Sequence, residues 1–368
     1  MGILKSGYLL RIFGLLLTTG LLISQVACSD RESDIAQLVQ TVNLGKPTKA
    51  VAWRPDGKQF AAVGFGNLGV WETATGKRIA TPAMWNESSL AYSPDGRLLV
   101  LHKAMKDRQG MSALVWLDAQ DQHVISEYFD EYPAITPGMA FSPDSRFLVV
   151  GAGKKTGSVA TVFDTTEQKP IAKLIPAIPD GWRSEPINRI IFSPDGSLIA
   201  AGGLSGAVNV WSTKNWQLIK AFKAHKGYVL SLAFSPDGKW LATGSNSSGK
   251  TAWRYNPDTN IKTETTYDDP IKIWDTTSWE QVKAMPIRDK RTLSLAFLPD
   301  GKHLISANED RILFWDVPAE KQVGIITGKF KDGGGLNFAL SQDGQYLAVG
   351  GIGTLEAQVW KIVGQLNN

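Results

Sequence analysis

The string GSNSSGKT, Gly244 to Thr251, satisfies the phosphate-loop pattern G-x-x-x-x-G-K-[ST] at every specified position. In such a loop the backbone N–H groups wrap a nucleotide's phosphates. A lysine, here Lys250, reaches the β- and γ-phosphates, and a hydroxyl, here Thr251, holds magnesium. The chemistry also needs a helix whose N-terminus faces the phosphates. From Thr251 the chain runs on as TAWRYNPDTNIKTETTYDD, in which Asn256-Pro257 stops a helix within a turn. GFGNLG, Gly64 to Gly69, fits the dinucleotide pattern G-x-G-x-x-G but runs into VWETATGK, a strand and a turn. GAGKKTG, 151–157, puts Lys155 where a phosphate loop needs Ser or Thr. All three strings read as sharp turns between strands, where glycine supplies positive φ.

Other chemistry is sparse. The histidines are His102, His123, His225 and His303, none at metal-ligand spacing from another, and Cys28 is the only cysteine. No G-x-S-x-G elbow occurs; GLSGA ends on Ala207. No loop has the acidic spacing of an EF-hand. The residues therefore predict no catalytic constellation, no cofactor and no metal.

The elements that would position any such group announce themselves through turns. RPDG (54–57), SPDG (93–96), SPDS (142–145), SPDG (193–196), SPDG (235–238), LPDG (298–301) and SQDG (341–344) recur at spacings of 39 to 63 residues. Pro presets φ, Asp bonds its own backbone and Gly accepts φ > 0, which suits a tight hairpin. A short strand precedes each turn and a small-residue strand comes after it. A third strand ends on Trp71, Trp116, Phe163, Trp211, Trp274, Trp315 or Trp360. A weaker fourth strand succeeds several of them, as in QLIKAF. Such units predict an all-β fold, a seven-bladed β-propeller of four-stranded antiparallel blades. The last unit, ending VWKIVG, lacks a fourth strand, whereas QLVQTVNLG, Gln37 to Gly45, has no partner beside the first. An unpaired edge is a liability, so this N-terminal strand is expected to close the ring in blade seven. SDIAQLVQ could alternatively open a short helix.

These units resemble the WD-repeat propeller family. WETATGK, FDTTEQK, WDTTSWE and WDVPAEK follow its W-D-x-x-T-G logic, and AHKGYVLSLAFSPDGKWLATGS with IKIWDTT is similar to one of its repeats. Only Trp274-Asp275 and Trp315-Asp316 keep the W-D dipeptide, and Gly-His is replaced by Ala224-His225. The resemblance implies a structural network of His225 with Ser245 or Thr243, Asp268 and Trp274. It also implies that the loops before a blade and after its second strand emerge on one face. Two long segments of those kinds stand out. The insertion after Ser245 carries Trp253, Arg254 and Tyr255, and PAIPDGWRSEPIN, 176–188, carries Trp182 and Arg183. Trp, Tyr and Arg are over-represented at binding hot spots, so these five are candidate partner-binding residues. A hairpin packed on its own blade is the other reading of the insertion.

The first residues read as an export signal. Lys5 and Arg11 precede the apolar run IFGLLLTTGLLISQVA, Ile12 to Ala27, too short for a span of roughly 20 residues. Cys28 comes directly after it, and the arrangement resembles a bacterial lipoprotein signal, although Gln25 stands where an aliphatic residue is usual. That resemblance implies lipid attachment at Cys28 and, from Ser29, an outer-membrane lipoprotein on the periplasmic side. The expected organisation is 1–27 signal peptide, 28–36 linker and 37–364 propeller. Formal net charge is +4, and removal of Lys5 and Arg11 leaves about +2, too balanced to favour nucleic acid. The expected function is a non-catalytic protein–protein scaffold. It would be a monomer with protein partners, no nucleotide or nucleic acid, and membrane contact only through the lipid. A propeller enzyme or small-ligand binder using the central channel is the rival. Its inner strands would need converging carboxylates, His or Arg, and they offer mostly Ala, Leu, Ser and Val.

Overall fold

A computed structural model of the chain describes residues 35–64, 66–80, 87–104, 112–130, 138–152, 159–178, 180, 187–246, 251–256, 261–266, 268–285, 287, 291–327, 336–351 and 355–364. Within them the strands form seven four-stranded antiparallel sheets and one two-stranded sheet. Blades one to six occupy residues 50–80, 87–130, 139–174, 187–223, 229–285 and 294–327. Blade seven joins residues 336–362 to the N-terminal strand Ala36–Asn43. The first strands of adjacent blades contact one another all the way round, so they surround the centre of the ring. No helix among the described residues is long and apolar enough to cross a membrane.

The turn chemistry explains each hairpin. In blade four the Ser193 hydroxyl donates to Asp195 Oδ1 at 2.5 Å and accepts from Leu198 N at 2.9 Å. Asp195 Oδ1 also accepts Ser197 N at 3.0 Å, and Gly196 sits at φ 73°. Serine and aspartate thus satisfy the turn's own polar groups, and glycine takes the left-handed position at no steric cost. The same serine–aspartate bond recurs at Ser93, Ser142, Ser235 and Ser341. In blade three, Ser145 holds the left-handed place at φ 61° and its hydroxyl accepts Asp95 N of the neighbouring turn at 2.9 Å.

Strand alternation then distributes the core. In the second strand of blade one, Gln59–Gly64, Ala61 and Val63 pack with Leu90, Leu99 and Leu101 of blade two. Their neighbours Phe60 and Ala62 pack the other way, with Ala348, Ala357 and Val359 of blade seven. Period-2 side chains on a sheet buried on both faces produce this result. Seven hydrophobic clusters result, one at each blade–blade interface.

The ring closes through Ala36–Asn43, a strand rather than a helix. It pairs antiparallel with Glu356–Ile362 from Ala36↔Ile362 to Asn43↔Glu356, with a bulge between Leu38 and Gln40. Ile35 O accepts Val363 N at 2.8 Å and Leu44 N donates to Leu355 O at 2.9 Å, which extends the seam at both ends.

Candidate functional site

Antiparallel order puts all seven first-to-second-strand turns on one face of the ring. The connections between second and third strands, and those between blades, lie on the opposite face. The insertion in blade five rises from that opposite face. It is a two-stranded hairpin, Thr251–Asn256 with Ile261–Thr266, in register from Thr251↔Thr266 to Asn256↔Ile261. Trp253, Arg254 and Tyr255 therefore lie on its first strand, paired with Glu264, Thr263 and Lys262. Thr251 opens a strand, not the helix that a phosphate loop requires. Gly66, in the decoy GFGNLG, turns between strands at φ 90°. Trp182, Arg183, Lys250 and Cys28 lie outside the described residues.

The root of the hairpin is fixed. Ser245 N donates to Pro270 O at 2.9 Å, across the two chain segments that lead into and out of the insertion. Ser245 O accepts Thr292 N from the next blade at 2.8 Å. Asn246 Oδ1 accepts Tyr228 N at 2.6 Å. Beneath these bonds lies a buried polar network. Trp274 Nε1 donates to Thr243 Oγ1 at 3.0 Å, and Thr243 Oγ1 stands 2.7 Å from His225 Nε2. His225 Nδ1 lies 3.3 Å from Asp268 Oδ2, short of full hydrogen-bond geometry. Asp268 Oδ2 accepts Lys226 N at 2.8 Å, and Asp268 Oδ1 meets Lys272 Nζ at 2.7 Å. Lys272 Nζ also donates to Ala224 O at 2.9 Å.

Of the two hydroxyls that the sequence offers, Thr243 joins this network. The register explains the choice. Leu241 pairs with Trp274, and Thr243 is the next residue on the same face, within diagonal reach of the indole. Ser245 stands a further two residues along. The same geometry recurs in blade six, where Leu304 pairs with Trp315 and Trp315 Nε1 donates to Ser306 Oγ at 2.9 Å. Blade two places His102 at that position relative to Trp116, whose Nε1 has no acceptor among the described residues.

The charges reflect these surroundings. Burial pushes His225 down, against the opposing pull of Asp268, so the ring is neutral at neutral pH. Burial would raise the Asp268 carboxyl, but His225 and Lys272 outweigh it and hold the group well below the usual carboxylate range. An anion flanked by an ammonium and a neutral imidazole is a clamp. Among the described residues the network is closed to solvent: His225 is 1% exposed and Asp268 4%.

Two groups went unread in the sequence. Lys272 sits on the third strand, Ile271–Asp275, one residue into the apolar string IKIW, with nothing in its sequence position to mark it as a partner of Asp268. Asp118, Asp121 and His123 converge in the turn after the third strand of blade two, with ligand atoms within 4.8 Å of one another. The D-x-x-D-x-H spacing was the available signal. Asp118 Oδ1 accepts Gln120 N at 2.7 Å and Asp121 N at 3.2 Å, and Asp121 Oδ1 accepts His123 N at 3.0 Å. These bonds cap the turn, and Asp121 and His123 are exposed to solvent.

The WD40 family, described as "WD domain, G-beta repeat", matches residues 177–212 and 216–251. The first match covers the three inner strands of blade four. The second runs through its outer strand into blade five and ends at Thr251, the first residue of the inserted hairpin. The chain is similar to the Periodic tryptophan protein 2 homolog of Schizosaccharomyces pombe, 33% identical over 40% of this chain and 15% of that protein. It is similar to the homolog of the same name in Dictyostelium discoideum, 24% identical over 80% of this chain and 29% of that one. It also resembles the Serine-threonine kinase receptor-associated protein of Gallus gallus, 25% identical over 45% of this chain and 42% of that protein. The chain thus spans less than half the length of each of these relatives. Repeats of the WD40 type are therefore present in this chain, in the part of the ring that carries the pinned hairpin.

Proposed function

We propose that the chain is a non-catalytic interaction scaffold, held by lipid at Cys28 on the periplasmic side of a bacterial outer membrane. Its partner is another protein, gripped by the face that bears the blade-five hairpin. The observation that carries this reading is the hairpin itself. It belongs to none of the seven sheets that close the ring, yet its root is held by a buried ionic network. An element that the ring does not need, fixed at its base, is suited to present side chains to a partner. Trp253, Arg254 and Tyr255 lie on it, and the WD-repeat resemblance expects the segment 176–188, which carries Trp182 and Arg183, to contribute to the same face. Such residue types dominate binding energy at interfaces. The Gallus gallus relative is by its name a receptor-associated protein, in keeping with a role in association. The envelope placement rests on Lys5, Arg11, the apolar run 12–27 and the position of Cys28.

The test is crosslinking and pull-down from the native envelope. The double variant Trp253→Ala with Arg254→Ala is expected to release the co-purifying partner, and so is Trp182→Ala with Arg183→Ala. Retention of every partner by both would remove the site. Labelling with radioactive palmitate is expected in the wild type and lost in Cys28→Ser; a wild type that takes up no label would remove the anchor.

A further inference from the structure

The turn face, opposite the hairpin, has a shaped centre. The last residues of three first strands, Phe141, Phe192 and Phe234, surround a cup of about 370 Å³ rimmed by Pro94, Pro143 and Pro194. The cup shares Ser193 and Pro194 with a second depression of about 470 Å³ between the turns of blades four and five. That depression contains Asp195, Asp237 and Thr276. A shallow, open apolar depression therefore borders a groove with two carboxylates.

The rim turns are fixed by their own serine–aspartate hydrogen bonds. Adjacent turns also lie close together: a methyl group built on Gly196 would come within 3.5 Å of the Pro143 ring, and one on Gly238 within 3.9 Å of Pro194. The carboxylates are unevenly neutralised. Asp95, beside Pro94, pairs with Arg97 at 2.6 Å. Asp237 has Lys239 at 3.8 Å, on side chains that are 55% and 76% exposed. Asp195 takes hydrogen bonds only from Ser193 and Ser197, and no Lys, Arg or His lies within 4.0 Å of it among the described residues. The Ser193 hydroxyl and the Ser197 donors hold its carboxyl below the ordinary range, so it stays ionised. Negative charge is thus concentrated at the blade-four end of the groove, next to the apolar well.

We infer that this face is a second docking surface, for a peptide segment of a partner protein that places an apolar side chain in the cup and an adjacent lysine or arginine against Asp195 and Asp237. The apolar neighbour supplies burial, and the basic residue supplies the countercharge that Asp195 lacks among the described residues. A preorganised rim lowers the ordering cost of such docking. An acidic segment meets uncompensated repulsion here.

Photocrosslinking of the full chain tests it. The probe is acetyl-p-benzoylphenylalanyl-arginine amide, compared with the same compound carrying glutamate in place of arginine. The arginine probe is expected to label the cup at Phe141, Phe192, Phe234 or the prolines, and the glutamate probe to label it far less. Asp195→Asn keeps the Oδ1 acceptor of the turn while removing the charge. It should lower labelling by the arginine probe roughly three- to fivefold, the range of one exposed ion pair. Asp237→Asn, which likewise keeps the Oδ1 acceptor of its own turn, should do the same and guards against a local folding effect at Asp195. Equal labelling by both probes, adducts confined to other surfaces, or wild-type labelling in both variants would overturn the inference. So would labelling that falls with protein concentration while sedimentation shows a dimer, because the occupant would then be a second copy of this chain.

Discussion

Lys272 sets its ammonium 2.7 Å from the Asp268 carboxylate four residues earlier, with the two side chains only 14% and 3% exposed. The pair ties the strand leaving the hairpin to the loop that carries Ala224 and His225. Removing the anion leaves a largely shielded ammonium with Ala224 O but no countercharge, and takes the Asp268 acceptor from the Lys226 N–H. Asp268→Ala is expected to destabilise the protein by about 3–5 kcal/mol. Lys272→Met should cost less, because Asp268 keeps the Lys226 N–H and His225. Urea unfolding of both variants checks this ordering, and hydrogen exchange at 251–266 should rise in step with it. Losses under about 1 kcal/mol in both would mean that the pair behaves as a surface ion pair.

How much of this was legible in the sequence depended on range. The hairpin turns depend on local chemistry: Ser193, Asp195 and Gly196 satisfy one another within a few residues, so S-P-D-G and its close variants declared every blade. Closure was legible as an arithmetic of strands, one surplus at the start and one missing at the end. The site was less so. Choosing Thr243 over Ser245 needs the register of Leu241 against Trp274, and Lys272 is recognisable only once the segment leaving the hairpin turns Asp268, four residues earlier, onto it. The well beside Asp195 comes from four blades meeting, a relation between segments some 140 residues apart, from Pro94 to Phe234.

His102 gives the fold a pH dependence of known sign. Burial pushes its imidazole down from 6.5 to about 4, so the unfolded chain binds a proton in a range where the folded chain does not. Its contribution is complete above pH 6.5 and is lost as pH falls toward 4, at up to about 1.4 kcal/mol per unit. His225, also lowered by burial, acts in the same direction. His102→Gln should therefore flatten the decline in urea midpoint between pH 7 and pH 4.5 without abolishing it. Parallel curves for wild type and variant would place the titration elsewhere.

Two glycines in equivalent turns should differ in their tolerance of alanine. Gly344 and Gly57 both adopt positive φ, 71° and 67°. A Cβ on Gly344 would overlap the Pro299 ring of the preceding turn, whereas one on Gly57 meets nothing within 4 Å. The difference lies in the partner turn, since blade seven has Gln342 where the other turns have proline. Each alanine costs about 1 kcal/mol for the left-handed backbone. Gly344→Ala adds about 1–3 kcal/mol of overpacking. Thermal melts of the two single variants should separate clearly, with Gly344→Ala the lower. Coincident melts would show that the proline brace yields freely.

The closing seam should be the most sensitive place to lose volume. Phe60 is fully buried between blades seven and one, stacked on Trp71 at 5.4 Å and tilted against Trp53 at 5.5 Å. It shares its cluster with Val42 and Leu44 from the N-terminal segment and Ala357 and Val359 from the final strand. Phe60→Ala is expected to cost about 3–5 kcal/mol, through lost burial and the cavity left behind. That cavity lies against the strand that completes blade seven, so amide protection across 36–43 should fall more than protection in blades three to five. Leu38→Ala, on the same N-terminal strand but 43% exposed, should change stability by no more than about 0.5 kcal/mol. Denaturant unfolding gives the two magnitudes, and exchange mass spectrometry gives the location. Uniform loss of protection around the ring in Phe60→Ala would mean that the seven blades open as one unit and that the seam is no weaker than any other interface.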